Sequence, residues 1–502
     1  MHACLNVDEI LRLIAHELVT SEGEATAIAL ACCCKNFEDP VLDVLWVVQD
    51  GLLPLLKAFP EDVWNDDECT VSGPATRVFH FFNNSIRKSF KRLPTTTEWS
   101  RFRKYTRRMR ELNEDYAPKP EDLPLETLSA LKFCTTNEPL LPNLKTLDLR
   151  VVHRLFVPFI PFFLSPRVTS LSLGFLPNCP KTTVASTISN FPTLCPHLQK
   201  ISLNFLLSDP MITAVSGMVL AINRNTLQQF HVDPPLTEEA SEVVYQLPNL
   251  RDLSVTIKRE TSLPSASLPN LTKLLIRCND ESDWPRLFHG ATFGKLESVM
   301  FFPQSSEIGD FLGAFKRAAL SSSVQNTLSA FYLSTSYSWN PSYSSLLPFT
   351  QLVDLDIELS CRDGCSSRVD DDIVIDLSRA MPKLTALKLG DNPCWGPTTG
   401  VTAKGLVALA LHCPDLRHLC IHFQVASLSA PPTSPGTARN VKPTGSWTDC
   451  ALAELTAGET QVPEESVLMV AQTLLRIFPG IWFIDATGEG WPEVIDAIRL
   501  SR

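Results

Sequence analysis

One short apolar signature recurs along most of this chain and constrains its fold more than any other feature. It reads apolar, two variable residues, apolar, one variable residue, apolar. It stands at Leu144-Leu147-Leu149, Val168-Leu171-Leu173, Leu198-Ile201-Leu203, Leu227-Phe230-Val232, Leu250-Leu253-Val255 and Leu271-Leu274-Ile276. It continues at Leu296-Val299-Phe301, Leu328-Phe331-Leu333, Leu352-Leu355-Ile357, Leu384-Leu387-Leu389 and Leu416-Leu419-Ile421. A weaker copy, Leu128-Leu131-Phe133, precedes these, and Ile481-Ile484 is a degenerate last one. Successive first positions lie 21 to 32 residues apart (271 − 250 and 328 − 296). Such a period marks a chain of stacked units, none of which buries its apolar face alone. The last two apolar residues of each copy alternate as on a strand and point into a shared core. Prolines stand two residues before the first position at Pro142, Pro196, Pro248, Pro269, Pro382 and Pro414. A proline there stops an incoming helix and presets an extended entry into the strand.

The returning segments Ser208–Asn223, Asp371–Met381 and Thr402–His412 have apolar residues at helical spacing. Glu464–Phe478 and Trp491–Leu500 read as helices that close the C-terminal end. The stretch Gln424–Trp447 is rich in Pro, Ser and Thr and reads as a mobile insertion.

The N-terminus has a different pattern. Val7, Ile10, Leu11, Ile14 and Leu18 fall on one helix face. Ser21 and Glu24 have capping-box spacing for a second helix carrying Ile28, Leu30 and Phe37. Asp39-Pro40 reads as the start of a third, with Val41, Leu42, Val44, Leu45 and Trp46. A three-helix unit this small leaves apolar groups exposed unless a partner covers them.

Between this unit and the repeats, Thr95 and Glu98 again have capping-box spacing, and Trp99, Phe102, Thr106, Met109 and Leu112 mark one helix face. Arg87 to Arg110 holds ten Lys/Arg against one acidic residue, Glu98. Such a segment suits RNA, a phosphorylated substrate or an acidic partner. The plainer reading is a helix face that docks the N-terminal unit onto the first repeat, with Trp99, Phe102 and Tyr105 as packing residues. The whole chain has 44 Lys/Arg and 55 Asp/Glu, a net charge of −11, which argues against a surface devoted to nucleic acid.

No motif for bond chemistry stands out. There is no phosphate-binding glycine loop, no nucleophile elbow and no CxxC pair at zinc spacing. Cys32-Cys33-Cys34 is contiguous on a helix, so the thiols diverge and read as small core residues, and Cys361 and Cys365 flank a charged loop. His418, Cys420 and His422 share one strand face, but same-face neighbours are about 7 Å apart, too far for easy chelation. No enzyme activity, metal or cofactor is therefore expected. No apolar run reaches the roughly 20 residues of a bilayer span, and the first apolar stretch contains Asp8, Glu9 and Arg12, unlike an export signal. The expectation is a cytoplasmic or nuclear chain with reduced thiols.

The repeat signature resembles the irregular leucine-rich repeats found in F-box proteins. The N-terminal string agrees with that resemblance. Cys4-Leu5-Asn6-Val7-Asp8-Glu9-Ile10-Leu11 is similar to the opening of an F-box. Ala29-Leu30-Ala31-Cys32-Cys33-Cys34-Lys35-Asn36-Phe37 is similar to its middle, and Leu42-Asp43-Val44-Leu45-Trp46 to its end. Where the family has a proline before the glutamate, this chain has Asp8 or Val7, depending on alignment, and an aspartate also caps a helix. The resemblance implies an α/β fold in which short all-α F-box helices lead into an irregular leucine-rich repeat solenoid, a horseshoe. Its divisions are residues 1–50 (F-box), 51–124 (helical linker), 125–485 (repeats, with the insertion 424–447) and 486–502 (capping helix). It implies a substrate-recognition subunit of an SCF-type cullin–RING ubiquitin ligase, with a Skp-family adaptor and an unknown target protein as partners. Leu5, Val7, Ile10, Leu13, Leu45 and Trp46 would meet the adaptor, with Ile14, Leu18, Leu30 and Phe37 inside. The target would meet the concave face through Lys145, Asp148, Arg150, Asn204, His231, Arg251, Arg277, Asp354, Asp356, Glu358, Lys388, Asp391, His418 and His422. The alternatives are a repeat scaffold with no ubiquitin role, its first fifty residues a helical cap, and an RNA-binding protein acting through residues 87–110.

Overall fold

The computed structural model describes residues 7–21, 23–65, 89–114, 125–135, 138–205, 209–257, 267–278, 292–303, 310–336, 341–359, 369–389, 400–429, 450–458, 461–486 and 488–501. The chain divides into two compact units, Met1–Ala240 and Ser241–Arg502. Both are α/β, with a ladder of parallel strands and helices or turns between them, compatible with a solenoid-like repeat fold. Among the described residues no helix is long and apolar enough to cross a membrane. Most of the expected insertion, residues 430–447, lies outside the described residues, as do Cys361 and Cys365.

The first unit opens with three helices, α1 (Asp8–Ser21), α2 (Glu24–Cys33) and α3 (Lys35–Leu45). Their core is Leu11, Ala15, Ala27, Phe37 and Val41, with Leu18, Leu30 and Leu45 packed at its rim. Two expected helix starts differ. Ser21 belongs to α1, and α2 begins after Gly23, whose φ of 89° suits glycine and strains other residues. The third helix starts at Lys35 rather than Asp39, because Phe37 and Val41, one turn apart, both reach the core. Pro40 is thus inside the helix and buried. Ile14 lies on the outer side of α1, since the buried stripe runs through Leu11 and Ala15.

The first ladder starts directly after these helices. Its strands are β1 (Val48–Asp50), β2 (Glu111–Glu114), β3 (Thr146–Val152), β4 (Ser170–Phe175), β5 (Lys200–Asn204) and β6 (Gln229–Val232), each parallel to the next. Helix α4 (Thr96–Thr106) lies between β1 and β2 in the chain and has both halves of the capping box at Thr95 and Glu98. Phe102 and Thr106 are its buried face, whereas Met109 and Leu112 follow it, in the turn and in β2. Leu128-Leu131-Phe133 is not a strand. It lies in α5 (Leu125–Cys134), where Leu128 and Leu131 are buried and Phe133 is 78 % exposed.

The second ladder has β7 (Asp252–Ile257), β8 (Lys273–Cys278), β9 (Ser298–Pro303), β10 (Ala330–Thr335) and β11 (Asp354–Leu359). It ends with β12 (Ala386–Leu389), β13 (His418–Ile421), β14 (Glu454–Gly458) and β15 (Phe483–Ala486). Its longer helices are α6 (Phe311–Ser321), α7 (Asp371–Ala380), α8 (Ala403–His412), α9 (Val467–Ile477) and α10 (Trp491–Leu500). The strand β14 carries a copy that the sequence reading passes over, Leu452-Leu455-Ala457, all buried.

Every signature residue of the eleven full copies, from Leu144 to Ile421, is no more than 3 % exposed. The register stacks like on like. Leu147, Leu171, Ile201 and Phe230 form one buried column. Leu253, Leu274, Val299, Phe331, Leu355, Leu387 and Leu419 form another. Pro196, Pro382 and Pro414 directly follow helix C-caps at Cys195, Met381 and Cys413, as the expected helix stop requires, but the prolines lead into a turn and not straight into the strand. Leu144 N–H donates to Leu141 O, Leu384 N–H to Met381 O and Leu416 N–H to Cys413 O, closing four-residue turns with proline second. Proline presets the backbone angle that position requires. The residue before each proline (Leu141, Cys195, Leu247, Leu268, Met381, Cys413) is a further buried position.

Candidate functional site

Two surfaces have the properties of interaction sites. The first belongs to the three N-terminal helices. Val7, Leu13, Ile14 and Ile28 are exposed, Leu13 to 70 %, and Ile10 is half-buried. A helix makes a turn every 3.6 residues, so packing Leu11 and Ala15 inward sends Leu13 and Ile14 outward. Exposed leucine and isoleucine on one small unit make it a candidate partner surface. Leu45 and Trp46 are placed otherwise. Leu45 packs on the helical core, and Trp46 is half-buried with its ring 4.7 Å from that of Tyr105 on α4. Leu5 lies outside the described residues.

The basic segment is partly consumed by packing. Lys104 pairs with Glu38 (3.2 Å) and Asp39 (3.1 Å), and Arg108 with Asp39 and Asp43 (2.8 Å to the latter). Arg12 reaches Asp43 at 3.1 Å from α1. The Lys104 hydrogen bond holds the Asp39 carboxyl below its usual range, and Asp39 in turn raises Lys104. Arg92 is tied to Asp62 and Glu98, at 2.7 Å each. An open groove of about 640 Å³ remains, lined by Asp43, Ser100, Arg101, Lys104, Arg107 and Arg108. Arg87 and Lys88 lie outside the described residues.

The second surface is the outward face of the strands. In the first unit, Asp148 and Arg150 on β3 point away from the buried column, with charged atoms 3.7 Å apart. Asn204 ends β5, and His231 sits half-buried on β6. Lys145 precedes β3, in the entry turn, where its carbonyl accepts the backbone N–H groups of Thr169 (2.9 Å) and Ser170 (3.0 Å). In the second unit Arg251 does the same for Thr272 and Lys273. Lys145 and Arg251 are therefore exposed at the entry to the strands and not on their outward face.

The outward face of the second unit runs in register. One row is Lys273, Ser298, Ala330, Asp354, Ala386, His418 and Glu454. The next is Leu275, Met300, Tyr332, Asp356, Lys388 and Cys420. One pleat further on, Arg277 is in register with Phe302, and Ser334 with Glu358. The Phe302 and Tyr332 rings are 5.3 Å apart. The Arg277 guanidinium stands 5.8 Å over the Phe302 ring, and its Nη1 donates to Ser254 Oγ at 3.1 Å. Tyr332 donates to Glu358 Oε2 at 3.0 Å. Burial raises the Tyr332 hydroxyl pKa, and the Glu358 charge raises it further. Burial also raises Asp354, partly offset by His418. His418 Nδ1 lies 2.9 Å from Glu454 Oε2 on the next strand.

His422 departs from the expected set. It lies one residue past β13 and is 5 % exposed, so the alternation that predicts an outward side chain ends before it. Asp391 lies outside the described residues. Among the described residues there is no group of three or more His, Cys, Asp or Glu that could hold a metal ion. The aromatic pair Phe302–Tyr332 is absent from the expected set, because that expectation collects polar residues only. Its signal is an aromatic at a strand position whose parity is opposite to the buried ones.

No protein-family model matches this chain, and no curated protein matches it. Among solved structures it is similar to the crystal structure of the Rad7 and Elc1 complex in yeast. That match covers 59 % of this chain and 78 % of the other, at 14 % identity and a TM-score of 0.37. At that TM-score the likeness carries no weight in assigning a function.

Proposed function

We propose that this chain is the substrate-recognition subunit of an SCF-type cullin–RING ubiquitin ligase, in which the N-terminal helices bind a Skp-family adaptor and the repeats, as a horseshoe, hold a target protein. One observation carries the reading. The helices whose sequence resembles an F-box bury Leu11, Ala15, Ala27, Phe37 and Val41 among themselves and leave Val7, Leu13, Ile14 and Ile28 outside. A protein partner that buries such side chains gains about 1.5–3 kcal/mol for each, enough for a stable pair after the cost of association. The subunit does no bond chemistry. It holds a target so that its lysines meet the charged conjugating enzyme at high effective concentration. Its place of action is the cytoplasm or nucleus, where such ligases work.

The adaptor contact falls to Val7, Ile10 and Leu13, joined by the exposed Ile14 and Ile28. Leu45 and Trp46 serve chiefly to seat the helices, on the core and on Tyr105. The test is co-purification of the full chain with a purified Skp adaptor, beside Leu13→Asp. Capture of the wild type and not of the variant supports the reading. Equal failure of both, with the wild type folded, leaves a repeat scaffold with a helical cap.

A further inference from the structure

Most outward positions of the second ladder are polar or small; Phe483 on β15 is one apolar exception, beside Trp482, and a block further back in the ladder is a larger one. Leu275 on β8, Met300 and Phe302 on β9, and Tyr332 on β10 make a contiguous apolar strip, with Met300 40 % exposed. The strip has unlike flanks. On β8 stand Lys273 and Arg277, the latter over the Phe302 ring. On β11 stand three carboxylates, Asp354, Asp356 and Glu358, all on the outward side of one strand.

We infer that this block binds an extended peptide segment of the target that crosses the strands with an acidic residue at the β8 end, an aromatic or large aliphatic residue in the middle and a basic residue at the β11 end. The inference rests on the reading of the strand face as the target surface, and it names the class of target. Charge complementarity fixes the polarity of the ligand. A like charge placed at either end would be repelled, which excludes wrong partners as much as it holds the right one. Geometry fixes the spacing. From β8 to β11 is three strand separations, roughly 14 Å at about 4.8 Å each, and four residues of extended chain span about the same distance. The segment therefore reads acidic, any, aromatic, any, basic. Its middle side chain meets the Met300 side chain and the tilted Phe302–Tyr332 pair. The Tyr332 hydroxyl is already held by Glu358, so the ring is fixed in place before a ligand arrives.

The probe is a fluorescein-labelled peptide with the centre Asp-Ala-Phe-Ala-Lys between Gly-Ser flanks, titrated against the full chain by anisotropy. A second peptide has Lys-Ala-Phe-Ala-Lys in its place. The wild type is expected to prefer the first. Met300→Asp, at an exposed position outside the core, is expected to weaken it by about tenfold or more, since a charge then meets the apolar centre. Arg277→Glu is expected to reverse the preference between the two peptides, a gain that mere unfolding does not produce. Two results overturn the inference: a wild type that captures the Skp adaptor yet binds neither peptide, and peptide binding that neither substitution alters. A wild type that binds the first peptide selectively and fails to capture the adaptor supports the inference and sinks only the ligase reading.

Discussion

Leu11 and Leu13 are two residues apart on α1 and have opposite fates, one buried in the three-helix core and one 70 % exposed. That difference sets opposite expectations for the two. Leu11→Ala opens a cavity and is expected to cost about 2–5 kcal/mol. Leu13→Asp is expected to change stability by no more than about 0.5 kcal/mol, as at other exposed positions. Denaturant unfolding of both variants checks this, and a large loss for Leu13→Asp would place Leu13 in the core instead. The thiols make a second test at this scale. Burial pushes Cys195 and Cys413 up to about 12, whereas Cys32 and Cys33, expected in the core, are exposed, and only Cys34 packs at the core's rim. Alkylation needs the thiolate. At neutral pH, iodoacetamide is thus expected to label Cys32 and Cys33 while Cys195 and Cys413 react only on unfolding, as peptide mass spectrometry would read. Labelling of Cys195 or Cys413 at the same rate as Cys32 would contradict their burial.

Helix α4 shows how an element is specified by its first turn. Thr95 N–H donates to Glu98 Oε2 at 2.7 Å, and Glu98 N–H donates to Thr95 Oγ1 at 3.4 Å. The Arg92 guanidinium, then the Thr95 backbone N–H, hold the Glu98 carboxyl down at about 2, from an ordinary 4.5. A carboxyl with a lowered folded pKa stabilises the fold above its unfolded pKa and loses that contribution as pH falls through the folded one. The wild type is therefore expected to lose stability from pH 4.5 towards 2 by a margin that Glu98→Gln does not show. Equal acid profiles in denaturant titration would contradict the role assigned to Glu98. This box is legible in the sequence because both partners are local, three residues apart. The Ser21–Glu24 spacing has the same form, but Ser21 continues α1 because the stripe through Leu11, Ala15 and Leu18 keeps the helix going. Tertiary packing decides between two locally permitted starts. The start of α3 is hidden for the same reason, with Phe37 drawing the helix to begin ahead of Pro40.

The ladder is the most legible part of the whole molecule, because its rule repeats. One buried column needs one residue type at one position in each copy, and the eleven full copies all comply. The sequence conceals a copy where the rule weakens. In β2, Glu114 stands in register with Leu149, where the last apolar residue belongs, and in β14 that place is taken by Ala457. Phe331, buried between Val299 and Leu355 in its column, tests the stacking itself. Phe331→Ala is expected to cost about 3–5 kcal/mol and to lower hydrogen-exchange protection in β9 and β11 as well as β10. Protection lost in β10 alone would contradict the shared core. The candidate sites are less legible. Which strand residues face outward follows from parity, but where the parity ends does not, and His422 lies just past that end. Trp46 is placed outward by its position in a motif, and only the fold shows Tyr105 lying against it.

In the proposed function, the exposed Val7, Leu13, Ile14 and Ile28 of the N-terminal helices meet the adaptor. Titration calorimetry of the full chain with a purified Skp adaptor, at several temperatures, tests it most directly. Burial of apolar side chains gives a negative heat-capacity change on binding. Binding with that sign is expected for the wild type, with an affinity reduced by roughly a hundredfold or more for Leu13→Asp, which removes an apolar contact and adds a charge to be buried. Binding that Leu13→Asp leaves unchanged, or no heat of binding from a folded wild type, would contradict it.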